Sequence, residues 1–575
     1  MLKLFRFLKP YRWTIAAVLV LVFLQSMTEL YLPTLMSDIV NTGIMRNDVD
    51  YIWRTGGFML LVALGGIICS ILAAFLSSIT AMGFGRILRE RIFTHVERFS
   101  LREFDRIGTP SLITRTTNDV TQLQMAVMIM TRMMIAAPIM CVGGIIMALS
   151  KDRGLAWILA VVLPVLAGII TFVARRGLPL FRAIQKKIDR INLIVRENLE
   201  GIRVIRAFNR IEHEKRRFHE ANLDLTGASI RVNKLMAVLM PVMMLVMNFT
   251  MVAILWFGGI RIDQGTLEIG NMMAFVQYAM QIMISVLMAS MMFIMIPRAQ
   301  ASAARIGDVL AIEPEINDAA APKRAGDLRG HVEFRDVTFR YHGAEEPAVR
   351  NVSFAARPGE VTAIIGGTGS GKSTLVNLIP RFYDVDSGSV LVDGVDVREM
   401  AQEDLRAKLG FVPQKAVLFS GTIAENIRYG KEDATEEEIR RAAEVAQATE
   451  FIAEMQDGFD AAVAQGGTNL SGGQKQRLSI ARALVRKAEI YIFDDSFSAL
   501  DFRTDARLRA ALRKETADAT VIIVAQRVST VMDADRIVVL DEGRVAGIGT
   551  HQELVKTCEV YREIVSSQLS EEEIA

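Results

Sequence analysis

At 575 residues the chain is too long for one ordinary domain. Its 51% hydrophobic and 23% charged residues, with a mean hydropathy of +0.29, blend a membrane half with a soluble one. A net charge of only +2 argues against a nucleic-acid partner, and the scattered Cys69, Cys141 and Cys558 give neither a metal spacing nor a disulfide framework.

The basic start, with Lys3, Arg6, Lys9 and Arg12, leads into an apolar run longer than a signal-peptide core and reads as a retained first span. Apolar segments on the order of 20 residues, enough to cross a lipid bilayer, fall near 14–36, 56–82, 133–149, 155–174, 236–260 and 271–297. The third is short by this count and is expected to begin earlier, around Met125. Loops after spans one, three and five are short. Those after spans two and four, roughly 83–124 and 175–235, are long and rich in Arg and Lys, which places them, the N-terminus and the C-terminal half in the cytoplasm. Each long connection reads as two helices leaving the membrane, with tips at Phe99 to Gly108 and Val204 to Glu214.

Ionisable residues inside spans are costly and therefore candidates for function. Glu29 lies in span one and Arg132 near the start of span three; Gln277 and Gln281, four apart in span six, share a helical face on which they could line a cavity. These four are the candidate substrate residues. Methionine is dense over 125–134 and 272–295, which fits ordinary packing or a pliable pocket.

From Pro297 the pattern turns soluble, giving a membrane domain over 1–310, a linker over 311–330 and a second domain over 331–575. A strand-like stretch ends on Tyr341. Next, an apolar strand, Val361 to Ile365, opens into Gly366, Gly367, Thr368, Gly369, Ser370, Gly371, Lys372, Ser373 and Thr374, which fits G-x-x-x-x-G-K-[ST] in its strand–loop–helix context. Glycines there let backbone N–H groups face phosphate, Lys372 reaches the β/γ-phosphates, and the Ser373 hydroxyl binds Mg²⁺. Gln414 follows in FVPQ. A helical segment, 434–456, leads to Leu470-Ser471-Gly472-Gly473-Gln474, and the apolar strand Ile490 to Phe493 delivers Asp494 to a sheet edge, where a Mg²⁺-nucleotide site needs a carboxylate.

LSGGQ followed by KQRLSIARAL resembles the signature of the ATP-binding-cassette (ABC) ATPases, and the six spans with long basic connections resemble the exporter type of that family. The resemblance covers nearly the whole chain. It implies an all-α six-helix transmembrane domain followed by an α/β P-loop nucleotide-binding domain, with ATP and Mg²⁺ as cofactors. It gives Tyr341 adenine stacking, Gln414 and Asp494 contact with Mg²⁺, and the two loop tips the part of coupling helices. Sites in this family are composite, so Ser471, Gly472, Gly473, Gln474 and the loop ending in Asp501 would serve the partner's nucleotide. Gly421 to Ile427 also fits the exporter pattern, while Gln465 replaces an expected glutamate.

Two departures fall on hydrolysis. Asp495 stands where the family has the glutamate that polarises water, drawing the carboxylate back by about 1.5 Å. Gln526 stands where it has a histidine, and an amide cannot become positively charged. What the chain lends to a partner is intact and what it keeps is altered. This resembles the degenerate-site subunit of heterodimeric bacterial multidrug exporters. It implies a multi-pass protein of the bacterial inner membrane, a partner half-transporter carrying the catalytic glutamate, and a lipophilic small-molecule substrate. A slow homodimer, a lipid flippase or importer of the same fold, and a nucleotide-gated regulatory subunit remain as alternatives.

Overall fold

The computed structural model describes residues 4–324 and 328–569. Two compact units emerge: the chain up to Glu97 together with Thr109–Ile312, and the segment Arg98–Gly108 together with the chain from Glu313 onward.

The first unit is helical throughout. Its elements are α1 (Arg12–Asp38), α2 (Val49–Val96), α4 (Thr109–Thr114), α5 (Val120–Lys151), α6 (Ala156–Glu200), α7 (Ile202–Ala207), α8 (Ile211–Asp263) and α9 (Ile269–Leu310), while α3 (Leu101–Ile107), between α2 and α4 in the chain, belongs to the second unit. Among the described residues six helices are long and apolar enough to cross a membrane. At 48 residues, α2 rises about 72 Å, over twice the roughly 30 Å of a hydrocarbon core. The apolar spans seen in the sequence are thus the middles of longer helices that continue past the bilayer. The third begins well before Met125, because α4 runs through a π-helical turn, Arg115–Asp119, into α5.

Local chemistry marks the tips. Ser100 and Glu103 form a capping box that starts α3, and Gly108 ends it at φ +79, a left-handed conformation that suits glycine. At the other tip α7 is set off by Gly201 and by Asn209, at φ +50. Within the first unit polar clips join α1 to α9: Tyr278 donates to the Leu30 carbonyl at 2.9 Å, and the Ser37 hydroxyl donates to Asn271 at 2.8 Å.

The second unit is built on two sheets. The strands are β1 (Val332–Phe339), β2 (Val349–Ala356), β3 (Val361–Gly366), β4 (Ser387–Val392), β5 (Val395–Asp396), β6 (Leu409–Val412), β7 (Gly421–Thr422), β8 (Ala462–Val463), β9 (Ile490–Asp494), β10 (Thr520–Val524), β11 (Arg536–Asp541) and β12 (Arg544–Gly549). One sheet has the order β2-β1-β4-β5, the other β12-β11-β3-β10-β9-β6, and β7 pairs with β8. In the six-stranded sheet β11, β3, β10, β9 and β6 run parallel. Parallel strands buried on both faces read as near-continuous apolar runs, and these do, with the exceptions Thr362 and Thr520, both buried, and charged residues only at strand ends (Asp494, Arg536 and Asp541). Ala363, Ile365, Tyr491, Phe493, Val521 and Ile523 point into one core. Their neighbours Ile364, Ile490, Ile492, Ile522 and Val524 point into the other, shared with β1, β2 and β4.

Candidate functional site

Parallel pairing decides where the chemistry sits. Val524 is in register with both Ile364 and Asp494, and Val412 with Phe493, so β3, β10, β9 and β6 end level at one carboxyl edge. The residues just past those ends are the phosphate loop, Gln526, Asp495 and Gln414. Four motifs scattered over 160 positions of sequence become one site because a single sheet edge collects them.

The loop after β3 is shaped by its glycines. Gly369 and Gly371 have φ of +83 and +93, and a Cβ on Gly371 would come 2.5 Å from the Ala348 carbonyl. Lys372, with 8% exposure, opens the helix Lys372–Leu378. Its Nζ donates to the carbonyls of Gly366 at 3.0 Å and Gly367 at 2.6 Å and to Ser370 Oγ at 3.4 Å. Burial pushes the ammonium's pKa down, against the charges of Asp495 and Asp494.

The Ser373 hydroxyl donates to Asp494 Oδ1 at 2.9 Å. Asp494 is buried, and burial, with Asp495 beside it, pushes its pKa up against the Ser373 bond. Ser373 and Asp494 offer two adjacent hard oxygens, the share a protein gives to Mg²⁺ when phosphates and water supply the rest. The open loop N–H groups, Lys372 and this oxygen pair fit a Mg²⁺-nucleotide.

Asp495 occupies the left-handed region at φ +46, where short polar residues are tolerated best. Its Oδ2 accepts from Gln414 Nε2 at 3.4 Å and from Gln526 Nε2 at 3.1 Å. The two departures noted in the sequence therefore touch one another. Burial raises the Asp495 pKa, while the Gln414 bond and the charges of Lys372 and Arg527 act against it. Gln526 is held in turn through its own carbonyl, which accepts from Gln568 Nε2 at 2.8 Å.

Tyr341 joins this site through its hydroxyl, 3.0 Å from Thr374 Oγ1. Its ring stands edge-on to Phe339 at 5.0 Å and to Tyr383 at 5.5 Å. The sequence reading missed Tyr383, which no motif marks. Burial first, then Tyr341 and Asp105, push its pKa up to about 12. Arg527 and Gln568 were also missed; nothing in their spacing singles them out.

The signature residues form a separate surface. Ser471 and Gln474 make a capping box that starts the helix Gly472–Leu484. Asp501 caps Phe502–Glu515, accepting from the Thr504 N–H at 3.0 Å. These two helix starts are neighbours: a Cβ on Gly473 would lie 3.2 Å from the Ala499 carbonyl. Among the described residues no hydrogen bond ties Ser471–Gln474 or Asp501 to the phosphate loop.

In the membrane unit, Glu29, Arg132 and Gln281 all line one cavity of about 430 Å³ between α1, α5 and α9. Gln277 does not join them. It is exposed, one turn away from Gln281, and outside the cavity.

A phosphate loop after β3, an Asp at the end of the parallel strand β9 with β10 between them, and Gln414 after β6, fused to six apolar helices, define a membrane-bound P-loop ATPase. Comparison with known proteins makes this specific. Residues 15–286 match the ABC transporter transmembrane region and residues 349–498 the ABC transporter nucleotide-binding family. An uncharacterized ABC transporter ATP-binding protein of Mycobacterium tuberculosis is 45% identical over 565 residues, 98% of this chain and 97% of that protein. An ATP-dependent lipid A-core flippase of Desulfotalea psychrophila is 35% identical over 82% of each chain. The structure of a bacterial Atm1-family ABC exporter with ATP bound superposes with a TM-score of 0.81 at 27% identity, covering 97% of this chain and 99% of that one. The chain belongs to the ABC transporters. It is a half-transporter of the exporter fold, a multi-pass membrane protein whose nucleotide domain couples ATP hydrolysis to transport in a dimer.

Proposed function

We propose that this chain is the hydrolysis-poor half of a heterodimeric exporter of lipophilic small molecules, of multidrug type. It is set in a bacterial inner membrane with its N-terminus and nucleotide domain in the cytoplasm. The observation behind this reading is the environment of Asp495. A carboxylate that polarises water must present a free oxygen about 3 Å from it. Here Oδ2 takes two amide donors, from Gln414 and Gln526, which leaves Oδ1 alone to face a water, and neither donor carries the positive charge that a protonated histidine would bring to the γ-phosphate. The Asp side chain is also one methylene short of the family's glutamate, and a misplacement of about 1 Å costs on the order of 100-fold in rate.

Bound nucleotide supplies a γ-phosphate whose charge clamps two cassettes. Lys372 would hold that charge in place, Ser373 and Asp494 would give the metal two oxygens, Tyr341 would offer its ring to the base, and Gln414 lies beside Asp495. The surface of Ser471–Gln474 and Asp501 closes over the partner's nucleotide, where a glutamate polarises water. Closure is driven by tighter nucleotide binding in the clamped state.

The test is ATP turnover by the purified chain in lipid nanodiscs, alone and with its partner half-transporter. Turnover is expected to be negligible alone, to appear with the partner, and to vanish when the partner's catalytic glutamate is replaced. Asp495→Glu with Gln526→His is expected to restore turnover at this chain's own site by roughly 10- to 100-fold. Brisk turnover by the unmodified chain alone would overturn the reading in favour of a homodimer.

A further inference from the structure

The membrane cavity holds two opposite charges that do not neutralise each other. Arg132 has no hydrogen-bond or ion-pair partner among the described residues, although Glu29 lines the same cavity. Their charged atoms do not come within the 4.0 Å of an ion pair. The Glu29 carboxylate accepts from the neutral amide of Gln25, one turn earlier on the same helix, at 2.9 Å. Gln281 Nε2 donates to the Glu29 carbonyl at 3.1 Å, tying α9 to α1 at this level, and its Oε1 is buried without a partner. Apart from Ser285, whose hydroxyl donates to the Ile282 carbonyl, the rest of the wall is apolar and soft, with Met128, Met133, Met140 and Met288 prominent.

An unpaired charge at membrane depth costs several kcal/mol. Two opposite ones could lower that cost by pairing, as Arg261 and Asp152 do at 3.1 Å elsewhere in the unit. Instead both face the same space. An anionic ligand alone would satisfy Arg132 and be repelled by Glu29; a cationic one would do the reverse. A neutral ligand would leave both uncompensated. The complementary ligand carries both signs, spaced so that each meets its opposite, with an apolar body for the methionines, whose flexible thioethers re-pack around chains of varied shape.

We propose that this cavity binds zwitterionic amphiphiles, with the anionic group at Arg132, the cationic group at Glu29 and an alkyl chain along the methionine wall. The proposal rests on the exporter reading in taking this cavity for the transport route, but binding itself requires neither nucleotide nor a partner subunit.

The experiment uses the full chain in non-ionic maltoside micelles without nucleotide. Three diazirine-bearing dodecyl probes of equal length differ in headgroup: phosphocholine, trimethylammonium and methyl phosphate, a phosphate diester that carries a single negative charge. Photolabelling of α1, α5 and α9 is read by peptide mass spectrometry. The zwitterionic probe is expected to label these helices at roughly tenfold lower concentration than either singly charged probe, a margin of about 1.4 kcal/mol. Glu29→Gln is expected to move the preference to the methyl phosphate probe, and Arg132→Gln to the trimethylammonium probe. Glu29→Gln is isosteric, Arg132→Gln shortens the side chain but keeps it polar, and retained binding of a fluorescent ATP analogue reports the fold of each. Should either variant misfold, the ranking of the three probes on the unmodified chain decides alone. Equal labelling by a singly charged probe, or labelling outside these three helices, would overturn the proposal. So would a preference that neither folded variant moves. Because nothing hydrolyses, failure here leaves the asymmetric-site reading standing, and failure of that reading leaves this one.

Discussion

In the nucleotide unit Lys372 donates to three loop oxygens, Asp494 accepts from Ser373, and Asp495 is bracketed by two amides. In the membrane unit Arg132 faces a cavity with no partner among the described residues, and Glu29 has a single neutral one. The first arrangement fixes geometry before ligand arrives. Its carboxylates sit at the end of a strand buried on both faces and Lys372 at the start of a helix, each held by hydrogen bonds, which suits a ligand of one fixed shape. The second leaves its charges to be completed by whatever enters, among side chains that re-pack. Preorganisation favours a single ligand and tight binding; loosely held charge in a soft wall favours a class of ligands. One chain thus pairs a preorganised site with one whose charges are loosely held.

If the nucleotide site is preorganised in this way, truncating its central charge should cost binding without costing the fold. Lys372→Ala is expected to weaken binding of a fluorescent ATP analogue to the full chain on the order of 100-fold, about 2.7 kcal/mol. The elution volume of the detergent-solubilised protein should not change. Unaltered affinity would mean that Lys372 belongs to the loop rather than to the phosphates, and the contrast with Arg132 would lose its first half.

A smaller effect tests how far the preorganisation extends. Tyr383 meets the Tyr341 ring edge-on at 85°, and such contacts contribute about 0.5–1.5 kcal/mol. Tyr383→Ala should therefore weaken nucleotide affinity several-fold, while Tyr383→Phe, which keeps the ring, should leave it nearly unchanged. Equal losses in both variants would assign the effect to the hydroxyl and to Asp105 instead.

How much of this could be read beforehand depends on how locally each feature is written. The phosphate loop, the signature and the Asp494 strand were legible because each combines a backbone requirement with its chemistry in a few adjacent residues, such as the positive φ of Gly371 beside Lys372. The six spans were legible by length and composition, but their ends were not. Hydropathy falls where α2 leaves the apolar layer, while its backbone hydrogen bonds continue to Val96. That Asp495 and Gln526 touch was hidden, since 31 positions separate them and the register of β9 with β10 brings them together. Helical spacing placed Gln277 and Gln281 on one face, but it could not say where a cavity would end. Tyr383 and Arg527 carry no local signature at all, because tertiary packing alone brings them to the site.

At the weak end of the same comparison are charges that are partnered yet exposed. Glu438 starts the helix Glu436–Val445 as the third residue of a capping box with Thr435. It also meets Lys431 Nζ at 2.8 Å and Lys487 Nζ at 3.3 Å. The Lys431 bond first, then the Thr435 N–H, lower its pKa from 4.5 to about 2. A carboxylate whose folded pKa is depressed contributes stability above its unfolded value, and that contribution is lost as pH falls through the folded one. Glu438→Gln keeps the cap but not the charge, so its melting temperature should lie slightly below that of the unmodified protein at neutral pH. The gap should close as pH drops from 4.5 towards 2. Exposed ion pairs contribute little and are screened by salt, so added salt should narrow the gap as well. A large, salt-insensitive gap would mean that partnered charge is strongly stabilising even at the surface. The order around Lys372 would then reflect a general habit of this fold rather than a demand of its ligand.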